Sequence, residues 1–380
     1  MAKADTSVKW FHSAMQDAPV CSGTAGALIQ LLDACLINGF SVRTPDSVVV
    51  SGGVATVSIS AGNPYDKHAV IDVAGASDPT LNAQWRVASA SGSSFTFDCP
   101  GVADGTITGA TVKRAGAGWA KPFSDTNLAV YQSLDSDSTQ LYLRVDDTDA
   151  RFTRVRGYET MSDVSAGVGP FPTLAQHAET FWNWIKSDVI DATARDWAVI
   201  ADDRFMWVMI KASGSAAYGR IPHYFGDPIP FDPLDKYCCV ITASNTNVPT
   251  GANHPCAQVA SASSDFGRYY ARDYAGVSGP IKHVAFSVLS AVWSGEINAA
   301  SAIPGDIRVA GPVFLAAGTT TGTGFRAKLP GVLPTLQRPE FADLSVHENG
   351  DKAILAVAIV GRTGTDSRVV SLFDISGPWR

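Results

Sequence analysis

The sequence predicts a mainly β chain: a small N-terminal β-module with a supporting helix, followed by a larger β-rich, sandwich-like domain with one or two helices. Three observations predict it. Charged residues are only 17% of the 380 positions, while glycine (34) and the small and β-branched residues are abundant, which suits packed β-structure better than a helical enzyme. Apolar residues alternate with period two through much of the chain. Clusters of Gly, Asp and Pro break these runs at short intervals. A chain this long can hold two or three domains. The expected divisions are an N-terminal segment and helix at 1–40, a small β-sandwich or barrel-like module at 41–118, and a larger β-rich domain at 119–380.

SGTAGALIQLLDACLING (22–39) reads as a helix. Leu28, Leu31, Leu32, Cys35 and Leu36 recur at three- and four-residue spacing and make one apolar face. Ser22 or Thr24 can cap its start, and Gly39 stands where a left-handed stop residue belongs. DSVVVSGGVATVSIS follows as two strands around Ser51-Gly52-Gly53. HAVIDVAG, QWRVASASGSSFTFDC and TITGATVKRA continue the module, and AGAGWAKPFSDTN (115–127) reads as its exit linker.

The second region opens with strands in NLAVYQS, TQLYLRVDD and ARFTRVRGYETM. PTLAQHAETFWNWIKSDVIDATARD (172–196) is expected to be helical, with Phe181, Trp182, Trp184 and Ile185 as its apolar part. DWAVIADDRFMWVMIKAS reads as a hairpin turning at Asp202-Asp203. YCCVITAS, HVAFSVLSAV, DIRVAGPVFLA and AILAVAIVGRTGTDSRVVSLFDI are further strands, separated by connectors such as LPGVLPTLQRPEF (329–341).

The formal charge of −7 argues against nucleic acid as a partner, because phosphate neutralisation needs a basic face. The longest apolar runs, such as AILAVAIV (353–360), fall far short of the roughly 20 residues of a spanning helix, so no membrane insertion is expected. MAKADTSVKWFHSAM contains no apolar stretch of signal-peptide length, and the expectation is a soluble protein made in the cytosol. Cys21, Cys35, Cys99, Cys238, Cys239 and Cys256 include no C-x-x-C pair and read as buried, reduced thiols.

LYLRVDDTDARFTRVRGYETMSD (141–163) is the stretch that most resembles chemistry. It sets Asp146, Asp147 and Asp149 beside Arg144, Arg151, Arg154 and Arg156. LDSDSTQ (134–140) and VDDTDAR (145–151) lack the Gly and closing Glu of a calcium loop. Adjacent strand residues point to opposite faces, so Asp146 and Asp147 diverge, whereas a glycosidase needs two carboxylates across one bond. The expected reading is a charged hairpin, with Asp side chains building the turn and arginines pairing across it. ADDR (201–204) has the same form.

The other signals are weaker. His12, His68, His177, His223, His254, His283 and His347 show no metal-ligand spacing. GTAGA (23–27) and GTTTGTG (318–324) lack the Lys of a phosphate loop, and no G-x-S-x-G occurs. Cys238 reads as a strand-buried thiol before it reads as a nucleophile. TFWNWIK (180–186) is a sugar-stacking candidate through Trp182 and Trp184, and HYFGDPIPFDP (223–233) is a candidate contact loop. No catalytic, cofactor-binding or metal residue is assigned, and no cofactor is expected.

VKWFHSAMQDAPVCSGTAGALIQLLDACLINGF (8–40), GGVATVSIS (52–60), AGWAKPFSDTNLAVYQS (117–133), YLRVDDTDARFTRVRGYETMSD (142–163), GPFPT (169–173) and ARDWAVIADDRFMW (194–207) together resemble a family of tailed-bacteriophage virion proteins associated with the tail or baseplate. The resemblance covers about the first 210 residues. It implies a non-enzymatic structural component of the virion, most readily in the tail tip or baseplate, assembled in the host cytoplasm. The implied partners are other virion proteins and further copies of the chain. Two alternatives stand beside it: a capsid decoration or head-fibre protein, and a receptor-recognition protein that binds a host-surface glycan. A third, a polymer hydrolase using Asp146, Asp147 or Asp202, is the least favoured.

Overall fold

The protein is described by a computed structural model covering residues 2–178, 182–214, 219–244, 267–286, 311–318, 324–333, 341–360 and 368–380. It is mainly β, as the composition and period-two patterning predict. At its centre lies an antiparallel sheet of ten strands, in the order Lys9–His12, Trp197–Ala201, Phe205–Ile210, Ile221–Gly226, Val240–Ala243, Gly267–Tyr270, Ile281–Phe286, Phe314–Ala317, Phe325–Lys328 and Ile229–Pro230. Every residue of the WAVIA and FMWVMI strands is buried. A run without polar alternation is stable only where both faces of the sheet are covered.

Two further sheets supply that cover, giving three layers. On one face, Trp207 meets Phe373 with ring centroids 5.3 Å apart. Phe373 belongs to a four-stranded sheet ordered Val332–Leu333, Arg368–Asp374, Lys352–Val360 and Val346–Asn349. On the other face, Phe225 lies 6.0 Å from Trp119 and 6.4 Å from Phe171, while His223 stacks on Trp184 at 5.7 Å. Trp119 and Trp184 come from the outer strands of a five-stranded sheet, ordered Asn183–Ile185, Phe152–Tyr158, Tyr142–Asp146, Leu128–Ser133 and Trp119–Asp125.

The N-terminal module is a seven-stranded sheet ordered Gly105–Ile107, Ser47–Ser51, Val54–Ser58, Ser94–Asp98, Gln84–Ala90, Val70–Ala74 and Thr111–Arg114. It encloses its own apolar cluster, including Val48, Val57, Ile71, Trp85, Phe95 and Phe97. Its first hairpin turns through Gly52 and Gly53, with φ of 58° and 76°, the two left-handed residues that a tight hairpin turn demands. Arg86 ties the module to the rest. Its guanidinium donates to the carbonyls of Asp5 (2.6 Å), His68 (2.8 Å), Val8 (3.2 Å) and Ile375 (2.8 Å).

Three local expectations are corrected. The helix begins later than expected, as α-helix Ala27–Leu32 continued by a wider π-turn segment Asp33–Asn38. Neither Ser22 nor Thr24 caps it, because their hydroxyls bond to each other at 2.9 Å. Gly39 does end it, with φ of 69°, and a Cβ there would overlap the Arg114 carbonyl oxygen. The expected linker at 115–127 contains the edge strand Trp119–Asp125. Its polar, Pro-containing sequence suits a strand with one unpaired side.

The third correction concerns 172–196. Among the described residues of this span there is no helix, and Asn183–Ile185 is a strand paired to Phe152–Arg154. Trp182, Asn183, Trp184 and Ile185 are all buried. A strand buried on both faces carries consecutive large apolar groups, and over so short a stretch these mimic helical spacing. Phe181, Cys256, His254 and most of GTTTGTG lie outside the described residues.

Candidate functional site

The Asp/Arg stretch forms the hairpin that its sequence suggests. Strand Tyr142–Asp146 pairs with Phe152–Tyr158, and Asp146 sits opposite Arg154. Asp146 Oδ1 accepts from the Thr148 amide at 3.2 Å and hydroxyl at 2.6 Å, and Asp149 Oδ1 accepts from the Arg151 and Phe152 amides at 2.7 and 3.0 Å. These are the local side-chain-to-backbone bonds of an Asx turn. The arginine pairing is thinner than expected. Arg154 approaches Asp146 at 3.6 Å, whereas Arg144 donates to the Val164 carbonyl at 2.8 Å and Arg156 to the carbonyls of Pro172 and His177. Arg144 and Arg156 face each other across the ladder, and each donates to backbone oxygens.

Asp147 departs from the charged-hairpin reading. It follows the last residue of its strand and turns inward, fully buried. Its Oδ2 accepts from the Leu28 and Ile29 amides at 2.8 and 3.3 Å, so it caps the N-terminus of the helix 119 residues earlier in the chain. Helix N-termini favour such an anion. Oδ1 accepts from the Thr153 hydroxyl at 2.5 Å and contacts Lys186 Nζ. Neither side chain of the Asp147–Lys186 pair has any solvent exposure. Burial pushes the Asp147 carboxyl above the usual range, against the opposing effects of Lys186, Thr153 and the Leu28 amide.

Asp202 plays a similar part in the second Asp-Asp turn. Its Oδ1 accepts from the Arg204 and Phe205 amides at 2.9 and 2.7 Å, and its Oδ2 lies 3.2 Å from Arg380. Burial raises its pKa, with Arg380 opposing. Asp146, Asp147 and Asp202 are therefore each engaged in turns, caps or ion pairs, and the structure does not place two of them across an open cleft.

The stacking candidates divide. Trp182 and Trp184 are fully buried; Trp184 Nε1 donates to the Thr242 carbonyl at 2.6 Å, and Trp182 packs against His177 and Tyr269. Neither ring can meet a sugar. In the 223–233 stretch, Ile221–Gly226 is a buried strand, but Phe231 is 48% exposed. Phe231 stacks on Phe314 at 5.9 Å, and Phe314 meets Phe325, itself 57% exposed, at 5.3 Å. Leu234, Tyr274 and Val277 are exposed on the neighbouring loops, and Tyr274 bonds Asp232 at 3.2 Å.

Sequence reasoning missed one concavity. Trp10, His12, Asp66, Lys67, His68, Leu344, Val346 and Glu348 line a cleft of about 370 Å³. It brings together the first strand of the ten-stranded sheet, a loop of the small module and the outer strand of the four-stranded sheet. Glu348 is held by Lys67 and by His68 Nε2 at 2.9 Å, and these bonds lower its pKa. Burial holds His12 down at about 4 and lowers His68 as well. The lining has no hydroxyl or thiol nucleophile, and its one glutamate is engaged by a lysine. Its chemistry is that of an ionic clasp between the module and the four-stranded sheet. No sequence signal links residues this far apart in the chain.

Among the described residues no group of three or more His, Cys, Asp or Glu is placed to hold a metal ion, and no helix is long and apolar enough to cross a membrane. Cys21, Cys35, Cys99, Cys238 and Cys239 are free and buried. Burial raises the Cys238 thiol far above its ordinary value, the opposite of what a nucleophile requires. No family model matches the chain, and no curated protein matches it.

Proposed function

We propose that this chain is a non-enzymatic structural component of a tailed-phage virion, placed in the tail tip or baseplate, where it joins other virion proteins. One observation carries the reading: five of the six segments that resemble the phage family interlock. Strand Lys9–His12 pairs with Trp197–Ala201, and Cys21 bridges to Arg195. The helix in 8–40 is capped by Asp147, and Trp119 Nε1 donates to the Asp202 carbonyl at 2.8 Å. Gly157 bonds Phe171 in both directions, at 3.0 and 2.8 Å. Five of the six stretches, scattered over some two hundred residues, thus form one frame, while GGVATVSIS (52–60) lies in the seven-stranded sheet of the small module.

The linked rings of Phe231, Phe314 and Phe325, two of them largely exposed, are the surface best suited to a neighbouring protein, since contiguous apolar exposure marks contact sites. Immunogold labelling of intact particles, with antibody raised against the 119–380 region, tests the placement. Label at the distal tail supports it, and label over the head replaces it with capsid decoration. Absence of the chain from purified particles by mass spectrometry overturns the virion reading.

A second reading, binding of a host-surface glycan, now rests on the Phe231, Phe314 and Phe325 rings, because Trp182 and Trp184 are buried. Adhesion of purified protein to host cells that is lost in Phe231→Ser supports it; adhesion unchanged by the substitution, or no adhesion, removes it.

A further inference from the structure

The buried pair at Asp147 has a composition that an ordinary ion pair does not explain. Lys186 Nζ, without solvent exposure, carries three N–H donors as an ammonium, and its hydrogen-bond acceptor among the described residues is Asp147 Oδ1. A fully buried ammonium with a single acceptor among the described residues is costly, as is the charge itself. Asp147 is arranged asymmetrically. Its Oδ2 is gripped by two backbone amides, Leu28 at 2.8 Å and Ile29 at 3.3 Å, while Oδ1 faces the amine and the Thr153 hydroxyl at 2.5 Å.

We propose that Asp147 and Lys186 are the site of a self-formed intramolecular amide, an isopeptide cross-link between the side chains that follow strands Tyr142–Asp146 and Asn183–Ile185. A proton first passes from the ammonium to Oδ1, giving a neutral amine and a neutral carboxylic acid. Burial favours this exchange, and it already holds the Asp147 carboxyl above its ordinary pKa. The Nζ lone pair then attacks Cγ and the Nζ–Cγ bond forms. The negative charge that develops on Oδ2 falls on the Leu28 and Ile29 amides, which sit as an oxyanion hole does. A second proton leaves Nζ for Oδ1, with the Thr153 hydroxyl placed to relay it. The Cγ–Oδ1 bond breaks and Oδ1 departs as water, while Oδ2 returns to a carbonyl. Carboxylate and ammonium become amide and one water, with no oxidant, cofactor or second reactant.

The product suits the site better than the reactants do. The new carbonyl Oδ2 keeps both helix amides as donors, one Nζ–H remains where the ammonium had three, and both buried charges are gone. A covalent tie at this point joins two strands of the five-stranded sheet, with the helix start hydrogen-bonded to it through the Leu28 and Ile29 amides. Such a link gives mechanical rigidity to a chain that bears load, a use that follows from the proposed assembly role but does not depend on it.

Intact-mass spectrometry of the purified full chain decides the matter without any variant. The expected result is a mass one water below that of the sequence, with a tryptic species joining the Asp147 and Lys186 peptides. Lys186→Met should restore the full mass. A wild-type chain at full sequence mass overturns the proposal. So does a water loss that maps elsewhere, as a succinimide at Asp104-Gly105 would. Both results are independent of whether the chain is found in phage particles.

Discussion

Asp146 and Asp147 are neighbours of identical chemistry, and the structure assigns them very different energetic weight. Asp147→Ala removes the counter-charge of a fully buried lysine and two amide contacts at a helix start. Breaking one side of a buried pair costs about 3–5 kcal/mol, and losing a helix cap about 1 kcal/mol, so a loss of about 4–6 kcal/mol is expected. An amide between Asp147 and Lys186 would add to that loss. Asp146→Ala gives up a partly exposed contact with Arg154 at 3.6 Å and a turn bond to Thr148, for about 0.2–1 kcal/mol. Guanidinium denaturation followed by the fluorescence of the nine tryptophans measures both, and the midpoint difference at constant slope gives the comparison. The double variant Asp147→Leu with Lys186→Met should recover much of the loss, because replacing both charges leaves none stranded. Similar losses for Asp147→Ala and Asp146→Ala would refute the inward, capping role of Asp147.

Other expectations follow from single features. Asp227 is buried, bonded to the Thr139 amide and hydroxyl at 2.6 Å each, and burial raises its pKa from 3.8 to about 6. A carboxyl whose native pKa is raised favours folding when protonated, so its contribution is full below about pH 4 and is lost as pH rises through 6. The loss is about 3 kcal/mol, and Asp227→Asn should flatten the stability profile across that window relative to wild type. Gly39→Ala forces a side chain into a left-handed conformation and onto the Arg114 carbonyl; a loss of at least about 1–3 kcal/mol is expected by thermal melting. In the native chain Cys21, Cys35, Cys99, Cys238 and Cys239 should resist a thiol reagent and react fully after denaturation, as peptide mass mapping would report. Phe231→Ser and Phe325→Ser should leave the melting temperature nearly unchanged, because both rings are largely exposed. Under the proposed virion role they should also weaken incorporation into particles, measured as the chain's abundance in purified phage.

What was legible in the sequence follows from local physics. Period-two alternation marks strands because side chains project to alternate faces, and the paired glycines at 52–53 and the Asp-Asp turns at 146–147 and 202–203 mark reversals. The strands 47–51, 54–58, 94–98, 142–146, 197–201 and 205–210 are all present near the expected positions. Where a segment is buried on both faces the local signal is lost: Trp182, Trp184 and Ile185 carry no alternation, and their strand at 183–185 reads as a helix. An edge strand has the opposite defect, since Trp119–Asp125 is polar enough to read as a linker.

The sequence by itself therefore determined the β class, the hairpins and the carboxylates available for chemistry. Tertiary structure decided what those carboxylates do. Asp147 and Asp202 carry the same turn-forming signature as Asp146, and their burial depends on elements that arrive from elsewhere: the helix at 27–32, Lys186 and Arg380. The cleft at Trp10, His68 and Glu348 likewise exists because three distant segments converge. Charge and periodicity are local properties of a chain. Desolvation, which sets the cost and the chemistry of a buried carboxylate, depends on which surfaces the fold brings together.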